Sequence, residues 1–422
     1  MDLKIQFDQY FLNNGLRVIL HEDHRIPIVA VNLWYHVGSG NERKGRTGFA
    51  HLFEHMMFQG SEHVGNDMHF KLVQSAGGNL NGSTFFDRTN YYETLPSHYL
   101  EMGLWLESDR MGFLLPAMTQ EKLDNQRDVV KNERRQRVDN QPYGLWLEKI
   151  LELSYSDEFS YHWPIIGYME DLDAASLDDI RQFFKTYYAP RNASLTLAGD
   201  FDPVQARALV EKYFGSIKNG HEIPPVPGPF DEFNRGEKRE TLIDNVQLPR
   251  LYMAYHVPPY GTDEWYALDL MSDILSSGKS SRLYQSLVYD SQIAQDAFAF
   301  ILPMQRGSLM IFLITPKPGI EIDFLESALE KEIEKVKSDL IGNSEFARVV
   351  NQIDARKIRE LQSNASKADL LNMFATYFDK PELINEEINR YHAVNPEKMR
   401  EAAKKYLNVD NRTVVTFLPK TK

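Results

Sequence analysis

The sequence predicts an α+β protein made of two homologous α/β sandwich halves. In each half, an antiparallel-rich sheet is expected to carry helices on one face. Two observations predict this arrangement: an internal repeat with an offset close to 220 residues, and a proline-rich segment near the middle of the chain. In each half, short alternating apolar stretches come first and stretches with helical spacing follow. Strands gathered together and covered by helices are typical of an α+β sandwich.

The repeat is visible in two separate places. The stretch LWYHVGSG at 33–40 resembles MAYHVPPYG at 253–261, with an offset of 220 residues. Further on, IRQFFKTYYAPRNASLTL resembles MREAAKKYLNVDNRTVVTF, which matches Asn192 to Asn411 at an offset of 219. Shared α/β composition is the alternative explanation, but two matches at nearly one offset favour a duplication.

A proline-rich segment divides the chain near its middle. KNGHEIPPVPGPF carries four prolines between residues 224 and 229. Proline at this density ends helices and central strands and favours an extended connector. We therefore assign residues 1–218 to the first half, 219–239 to a linker and 240–422 to the second half.

The composition narrows the classes of function. The 422 residues are 42% hydrophobic, which suffices for a large core and for two to four domains of about 100–200 residues each. With 60 acidic side chains against 47 Lys and Arg, the net charge is −13, which argues against nucleic acid and anionic membranes as partners. The chain has no cysteine, so disulfides, thiolate zinc ligands and cysteine nucleophiles are excluded.

Targeting signals are not visible in the sequence. The opening MDLKIQFDQYFLNNG lacks a charged region followed by an apolar stretch, as a signal peptide requires. No window approaches the roughly 20 apolar residues of a membrane span, so none is expected. The compartment stays open between the cytoplasm and, if a signal peptide has been removed, the periplasm.

The stretch RTGFAHLFEHMMFQG places three titratable side chains in an apolar setting. Helix signals predict that Thr47 caps its start and that Gly60 ends it. Residues three and four apart share one helix face, so His51, Glu54 and His55 should project from one side. The order His-x-x-Glu-His is the inverted-zincin signature.

This pattern suits a metal ion. Two imidazoles one turn apart can bind one zinc, and the carboxylate beside them can reach a water molecule. The alternative is a helix with two ordinary histidines, but burying such groups without a partner costs several kcal/mol.

A third ligand should come from elsewhere. Glu133 lies in a long predicted helix that begins after Thr119 and ends before Pro142. That helix is highly charged, so a solvated face is the alternative and Glu133 is one candidate among several.

These motifs together resemble the pitrilysin/insulinase family of zinc metallopeptidases. The matching stretches are HLFEH at 51–55, VVKNER at 129–134, GSGNER at 38–43 and GGNLNGSTFFDRTNYY at 77–92. With the layout in two halves, the resemblance covers nearly the whole chain.

The resemblance implies a zinc endopeptidase. It implies that His51, His55 and Glu133 bind Zn²⁺ and that Glu54 is the general base. In the family a further Glu often lies seven residues before the ligand Glu, where this chain has Gln126. Gln126 should face the same way as Glu133, because seven residues make two helical turns.

The resemblance also implies a strand that pairs with the backbone of a peptide or unfolded polypeptide substrate. Asn79–Tyr92 is rich in Thr, Phe and Tyr and follows a Gly-Gly turn signal, so it is predicted as a strand. An exposed edge strand can bind an extended peptide through main-chain hydrogen bonds. Asn81 and Gly82 match the positions nearest the scissile bond. An internal strand is the alternative.

The second half is expected to keep the fold without the metal site. At the offset of 220, the four site positions are apolar: Met271, Ile274, Leu275 and Ile353. Many family members also place an Arg and a Tyr from a distal half over the substrate. The comparable segment here, Gly307–Ile322, has neither, although the nearby Arg282 or Tyr284 could serve instead.

This departure predicts a catalytic subunit in a two-chain chamber. The expected partner is a homologous non-catalytic chain that supplies the Arg and the Tyr. Two other functions remain open: a structural or assembly subunit with the peptidase fold, and a self-sufficient homodimeric peptidase. The complete set of site residues argues against the first, and the missing Arg and Tyr argue against the second.

Overall fold

The computed structural model describes residues 4–226, 228 and 236–420. The strands are β1 (Asp8–Phe11), β2 (Arg17–Glu22), β3 (Ile28–Tyr35), β4 (Asn79–Thr84), β5 (Thr89–Pro96), β6 (Ala193–Gly199), β7 (Lys238–Asp244), β8 (Arg250–Val257), β9 (Ala294–Leu302), β10 (Ser308–Pro316) and β11 (Arg412–Pro419). The helices are α1 (Phe49–Met56), α2 (Met68–Ser75), α3 (Leu100–Phe113), α4 (Gln120–Arg134), α5 (Trp146–Ser154), α6 (Met169–Asp173), α7 (Leu177–Tyr187), α8 (Pro203–Phe214), α9 (Asp263–Ser276), α10 (Ile322–Ser338), α11 (Asn343–Glu360), α12 (Asn364–Phe378), α13 (Glu387–His392) and α14 (Pro396–Tyr406).

Two sheets with the same strand order confirm the predicted fold of two α/β halves. The first sheet has the order β1-β2-β6-β3-β5-β4, and the second has the order β7-β11-β8-β10-β9. Apart from β1, the two orders correspond strand for strand. In each sheet one pair is parallel, β2 with β6 and β7 with β11, and the other pairs are antiparallel.

The repeat extends to individual hydrogen bonds. Asn192 and Asn411, which the sequence matches to each other, each donate from the side-chain amide to two backbone carbonyls. In each case one carbonyl lies at the end of a central strand: His36 directly follows β3, and His256 is the penultimate residue of β8. The other carbonyl belongs to the last residue of the preceding helix, α7 or α14. The acceptors are His36 at 3.3 Å and Tyr187 at 2.9 Å for Asn192, and His256 at 2.9 Å and Tyr406 at 2.7 Å for Asn411.

Each sheet buries one face against helices of its own half. Since successive side chains of a strand point to opposite faces, Val29, Val31, Leu33 and Tyr35 of β3 all face one core. Helices α1, α3, α7 and α8 contribute apolar side chains to that core. In the second sheet, alternate residues of β8 from Leu251 to Val257 pack with side chains of α9, α10 and α14.

The opposite face of each sheet is covered by a helix from the other half of the sequence. The first compact unit takes in Lys357–Glu386, and the second takes in Glu133–His162. In the first unit, α12 packs its Ala368 against Ala30 of β3. In the second unit, Trp146 of α5 stacks on Tyr252 of β8 with ring centroids 5.0 Å apart. The sequence predicted helices on one face only, and this second layer is an addition to that prediction.

The proposed linker is only partly described. Residues 227 and 229–235 lie outside the described part of the chain, so the boundary at 219–239 stays a proposal. Among the helices of the described residues, none is both long enough and apolar enough to span a bilayer.

Candidate metal centre

Helix α1 presents two different sides. Leu52, Phe53 and Met56 are fully buried in the core of the first unit, whereas His51, Glu54 and His55 are half-buried. The spacing of three and four residues separates these sets, because it places each on one face. The two imidazole rings lie 4.8 Å apart between centroids, with an angle of 76° between their planes.

The start of α1 differs from the prediction that Thr47 caps it. Gly48 is the N-cap residue, with a φ of +77°, and its own N–H donates to the carboxylate of Glu42 at 2.9 Å. Glu42 also accepts from the N–H of Ala50 at 2.8 Å, so one carboxylate binds two amides at the helix start. The Thr47 hydroxyl instead donates to Asp171 at 2.7 Å. The helix ends at Met56, before the predicted Gly60.

Glu42 is a buried side chain that sequence reasoning did not single out. Burial raises the pKa of its carboxyl well above the ordinary range, while the hydrogen bonds from the backbone N–H groups of Ala50 and Gly48 lower it. A side chain cannot replace the hydrogen at Gly48, since a Cβ there would lie 2.6 Å from the carbonyl oxygen of Ile166. GSGNER contains the only signal for this cap, and nothing in its spacing links it to α1.

Helix α4 brings Glu133 to the two histidines. The helix begins at Gln120, as predicted, and a π-helical turn over Arg135–Asp139 follows it. Three possible ligand atoms, one each from His51, His55 and Glu133, all lie within 4.8 Å of one another. The guanidinium of Arg137 is 2.7 Å from the Glu133 carboxylate, one turn further along.

This donor set suits zinc. Two imidazole nitrogens and one carboxylate oxygen are the three protein ligands of one common class of catalytic zinc site, which leaves a fourth position open. Within the described residues, no other group of three or more His, Cys, Asp or Glu side chains is close enough to hold a metal ion. The three residues that the sequence suggested as ligands are therefore brought together by the fold.

Glu54 lies against strand β4. Its carboxylate accepts a hydrogen bond of 2.6 Å from the hydroxyl of Thr84. A Cβ on Gly82 would lie 3.1 Å from Oε1 of Glu54, which is tighter than ordinary contact, so glycine gives the carboxylate its space. The sequence analysis did not identify Thr84, although its period-two spacing from Gly82 places both on one strand face.

The segment Asn79–Tyr92 is a hairpin and not one continuous strand. Strand β4 ends at Thr84, the chain turns where the N–H of Phe85 donates to the carbonyl of Arg88 at 2.8 Å, and β5 returns. The turn lacks the Asn-Gly or Gly-Gly pair that marks most tight hairpins, so the sequence gave no clear signal. Strand β4 is an edge strand of the first sheet. Asn81 is exposed there, and its side-chain oxygen accepts the N–H of Gly82 at 2.9 Å.

Two further predicted positions have a clear environment. Gln126 on α4 is buried, with 7% of its surface exposed, so it faces inward two turns before Glu133. Arg282 donates to the Glu345 carboxylate from two guanidinium nitrogens, Nε at 2.9 Å and Nη2 at 2.8 Å. Its side chain is therefore already paired inside the second unit.

Family models match most of the chain. The model described as insulinase, peptidase family M16, matches residues 17–159. The model described as the peptidase M16 inactive domain matches residues 174–353. The insulinase model thus covers the two histidines and Glu133, and the inactive-domain model covers the end of the first half and much of the second.

Individual relatives agree with these models. The zinc protease PqqE of Helicobacter pylori is 31% identical over 370 residues, which cover 87% of this chain and 82% of that protein. The uncharacterized zinc protease YmxG of Bacillus subtilis is 23% identical, covering 95% of this chain and 96% of the relative.

Solved structures show the same fold. The crystal structure of a protease from Helicobacter pylori has a TM-score of 0.91 at 28% identity and covers 98% of this chain and 100% of that one. An M16-like peptidase from Alicyclobacillus acidocaldarius has a TM-score of 0.83 at 21% identity, with complete coverage of both chains. From the two family models and these relatives, the chain belongs to the insulinase family of zinc proteases, peptidase family M16.

Proposed function

We propose that this chain is a zinc-dependent endopeptidase that hydrolyses peptides bound as an added strand along β4. One observation carries the proposal. The ligand atoms of His51, His55 and Glu133 meet within 4.8 Å, and Glu54 from the same helix touches an edge strand. A metal-ligand set, a carboxylate and a peptide-binding edge at one place are the parts that hydrolysis of a peptide bond requires.

His51, His55 and Glu133 would hold the zinc. Zinc bound by such a set acts as a Lewis acid that lowers the pKa of water towards about 7 and polarises a carbonyl group. The ion pair between Arg137 and Glu133 orients the carboxylate from the solvent side, where 76% of the arginine side chain is exposed.

Glu54 is the proton carrier in this proposal. Its carboxylate takes the proton of the attacking water and delivers it to the amine that leaves. Thr84 donates to one carboxylate oxygen at 2.6 Å, which fixes the orientation of the group. Proton transfer by a positioned side chain contributes about 10²–10⁴-fold to the rate.

Strand β4 would bind the substrate. An edge strand offers backbone N–H and C=O groups that any extended peptide can pair with, whatever its side chains. Gly82 lies beside Glu54, and Asn81 precedes Gly82 on this strand, so a peptide paired there passes the base. The absence of a side chain at Gly82 lets the peptide and the carboxylate approach each other.

A metal analysis tests the ligand set. Substituting His55→Ala should abolish stoichiometric zinc, because two protein ligands rarely retain the ion that three hold. His98→Ala, at an exposed histidine outside the site, is the matched control and should keep one zinc per chain. Full zinc occupancy in His55→Ala would contradict the assignment.

We also propose that the chain is the catalytic subunit of a two-chain chamber. Gly307–Ile322 offers no Arg or Tyr for the substrate, and Arg282 is bound by Glu345. Donors that face the developing oxyanion would then come from a homologous chain without His-x-x-Glu-His. The structural match to the periplasmic protease PqqL of Escherichia coli, at 15% identity, covers 99% of this chain but only 48% of that one. A similar fold therefore occurs there within a chain of about twice the length.

An activity assay with and without the homologous chain decides between the remaining functions. We expect the zinc-loaded chain to cleave a quenched peptide slowly alone and at least about tenfold faster with its partner. The reason is that the chain alone would lack one or more of the donors that stabilise the oxyanion. Full activity alone would indicate a self-sufficient homodimer. No activity in either case, with zinc bound, would indicate a structural or assembly subunit.

A further inference from the structure

One carboxylate of α12 collects hydrogen bonds from the strands of the first sheet. Oδ1 of Asp369 accepts from Nδ2 of Asn32 at 3.1 Å, from Nε1 of Trp34 at 2.8 Å and from Nδ2 of Asn90 at 3.0 Å. The three donor side chains are each only 3% exposed. Hydrogen bonds to an ionised acceptor are stronger than neutral ones, so this contact fixes the donors firmly.

The contact continues through Asn90 to strand β4. The side-chain oxygen of Asn90 accepts the hydroxyl of Ser83 at 2.6 Å. Arg88 donates to the backbone carbonyl of Ser83 at 2.8 Å and to the Asn90 oxygen at 3.2 Å, and its guanidinium lies 5.2 Å from the centre of the Trp34 ring. Ser83 follows Gly82 directly, so a continuous set of hydrogen bonds joins α12 to the residue beside the proposed scissile position.

Strand β4 is thereby held from both faces. On one face Thr84 and Gly82 meet Glu54 of α1. On the other face Ser83 is held through Asn90 and Asp369. An edge strand is paired on one side only, and ordering it before the peptide arrives lowers the entropy lost on binding.

We propose that Asp369 is a positioning residue that holds β4 in the conformation that binds the substrate backbone. The inference rests on the proposed function, because it assigns the binding of peptide to β4. Asp369 itself contacts neither the metal ligands nor Glu54 in this assignment; it acts through Asn90 and Ser83.

Three variants of the full chain test the role of Asp369. Asp369→Ala removes the shared acceptor, and Asp369→Asn keeps an oxygen acceptor without the charge. Asn372→Ala is the matched control: it lies one turn along α12, it accepts from Thr196 at 2.7 Å and donates to the carbonyl of Asn32 at 2.8 Å, and it has no bond to the hairpin. If Asp369→Ala does not fold, Asn90→Ala removes the same hydrogen-bonded connection between α12 and β4.

For Asp369→Ala we expect the KM of an extended peptide to rise about tenfold, with kcat within about twofold and zinc content unchanged. Asp369→Asn should restore most of the KM, and Asn372→Ala should leave it as in the parent chain. In hydrogen exchange, the amides of residues 79–84 should exchange faster in Asp369→Ala and Asn90→Ala than in Asn372→Ala. Adding Asp369→Ala to Asn90→Ala should then change KM little further.

Equal KM changes for Asp369→Ala and Asn372→Ala would show a general packing role and overturn the proposal. Unchanged exchange of residues 79–84 in Asp369→Ala would overturn it too. If the parent chain binds zinc but cleaves no peptide, either alone or with the homologous chain, the proposed function fails. The exchange experiment then still decides whether Asp369 holds β4, because it needs no substrate.

Discussion

The two halves of this chain have the same fold but differ in the residues at the positions of the candidate metal centre. In the first half, positions 51, 54, 55 and 133 carry half-buried polar side chains; those of 51, 55 and 133 meet at one place, and Glu54 lies on the same helix as the two histidines. In the second half, the residues at the matching offset are Met271, Ile274, Leu275 and Ile353, and each is fully buried. The comparison shows that the fold needs no polar group at these positions, so the polar set in the first half has a purpose other than folding.

The difference extends to the helices that carry these positions. Helix α9 has fourteen residues, and the Thr262 hydroxyl caps its start by accepting the N–H of Trp265 at 3.3 Å. Helix α1 has eight residues, begins at a left-handed glycine and depends on the carboxylate of Glu42. Full burial of a large aliphatic side chain contributes about 1.5–3 kcal/mol, which the first half forgoes at each site position. We therefore expect the first half to trade stability for chemistry.

The largest effect should come from changing the base in one half and its counterpart in the other. Glu54→Gln keeps the shape but cannot accept a proton, so kcat should fall by about 10²–10⁴-fold while zinc is retained. Ile274→Val, at the matching position, should leave kcat unchanged. Steady-state kinetics with metal analysis measure both. Near-normal turnover of Glu54→Gln would remove Glu54 from the proposed mechanism.

Exchanging the residue types between halves should change stability in opposite directions. Ile274→Glu puts a carboxylate into a fully buried apolar site, which should lower the free energy of unfolding by about 3–5 kcal/mol. Glu54→Ile should leave that free energy unchanged or raise it, at the cost of all activity. Chemical denaturation followed by circular dichroism measures the two changes. Similar losses for both variants would contradict the idea that only the first half trades stability for chemistry.

A buried histidine should make the first half sensitive to acid. Burial, with Arg110 nearby, lowers the pKa of His69 to about 3 from its ordinary value of 6.5. Between these values the unfolded chain binds a proton that the folded chain does not, so stability is complete above pH 6.5 and falls as the pH drops. The slope is about 1.4 kcal/mol per pH unit, or about 2 kcal/mol between pH 6.5 and 5.

Removing that histidine should remove the slope. His69→Leu should flatten the dependence of the unfolding free energy on pH between 6.5 and 5, whereas His98→Leu, at an exposed histidine, should not. Denaturant titrations at several pH values measure this. The same slope in His69→Leu as in the parent chain would mean that other groups dominate acid sensitivity.

The smallest effect concerns the asparagines that the two halves share. Asn192→Ala and Asn411→Ala each remove two hydrogen bonds to backbone carbonyls, which should cost about 1–2 kcal/mol in the free energy of unfolding. Asn411 has the shorter bonds and is 4% exposed, so its variant should lose more. Thermal unfolding of both variants compares them. A larger loss of stability in Asn192→Ala would contradict the expectation that hydrogen-bond length and burial set the cost at these two sites.

Local patterns predicted much of this molecule. The spacing of His51 and His55, the helix with Glu133 and the match of Asn192 to Asn411 all depend on residues close in sequence or on a repeated pattern. The two-half fold followed from the same signals and is confirmed by the two sheets.

What the sequence missed depends on contacts between distant residues. The cap of α1 by Glu42 arises because the chain folds back at Gly48, and Thr47 is drawn instead to Asp171, 124 residues away. The turn between β4 and β5 lacks the residues that mark tight turns. The sequence does not indicate the role of Thr84, because its hydrogen bond to Glu54 forms only when β4 packs beside α1. Helix periodicity could not reveal which sheet α12 would cover, since any sheet with an apolar face could accept it.

The reciprocal covering of the sheets has a consequence for how the chain could be divided. Helices α5 and α12 begin at residues 146 and 364, close to the repeat offset, so each half lends the other the same helix. A fragment that ends before residue 219 would keep its strands and lose the layer that contains Asp369. Neither fragment should therefore fold when expressed alone, and the two expressed together should recover a single soluble complex. In this respect the chain resembles a swapped dimer whose two copies have been joined into one gene.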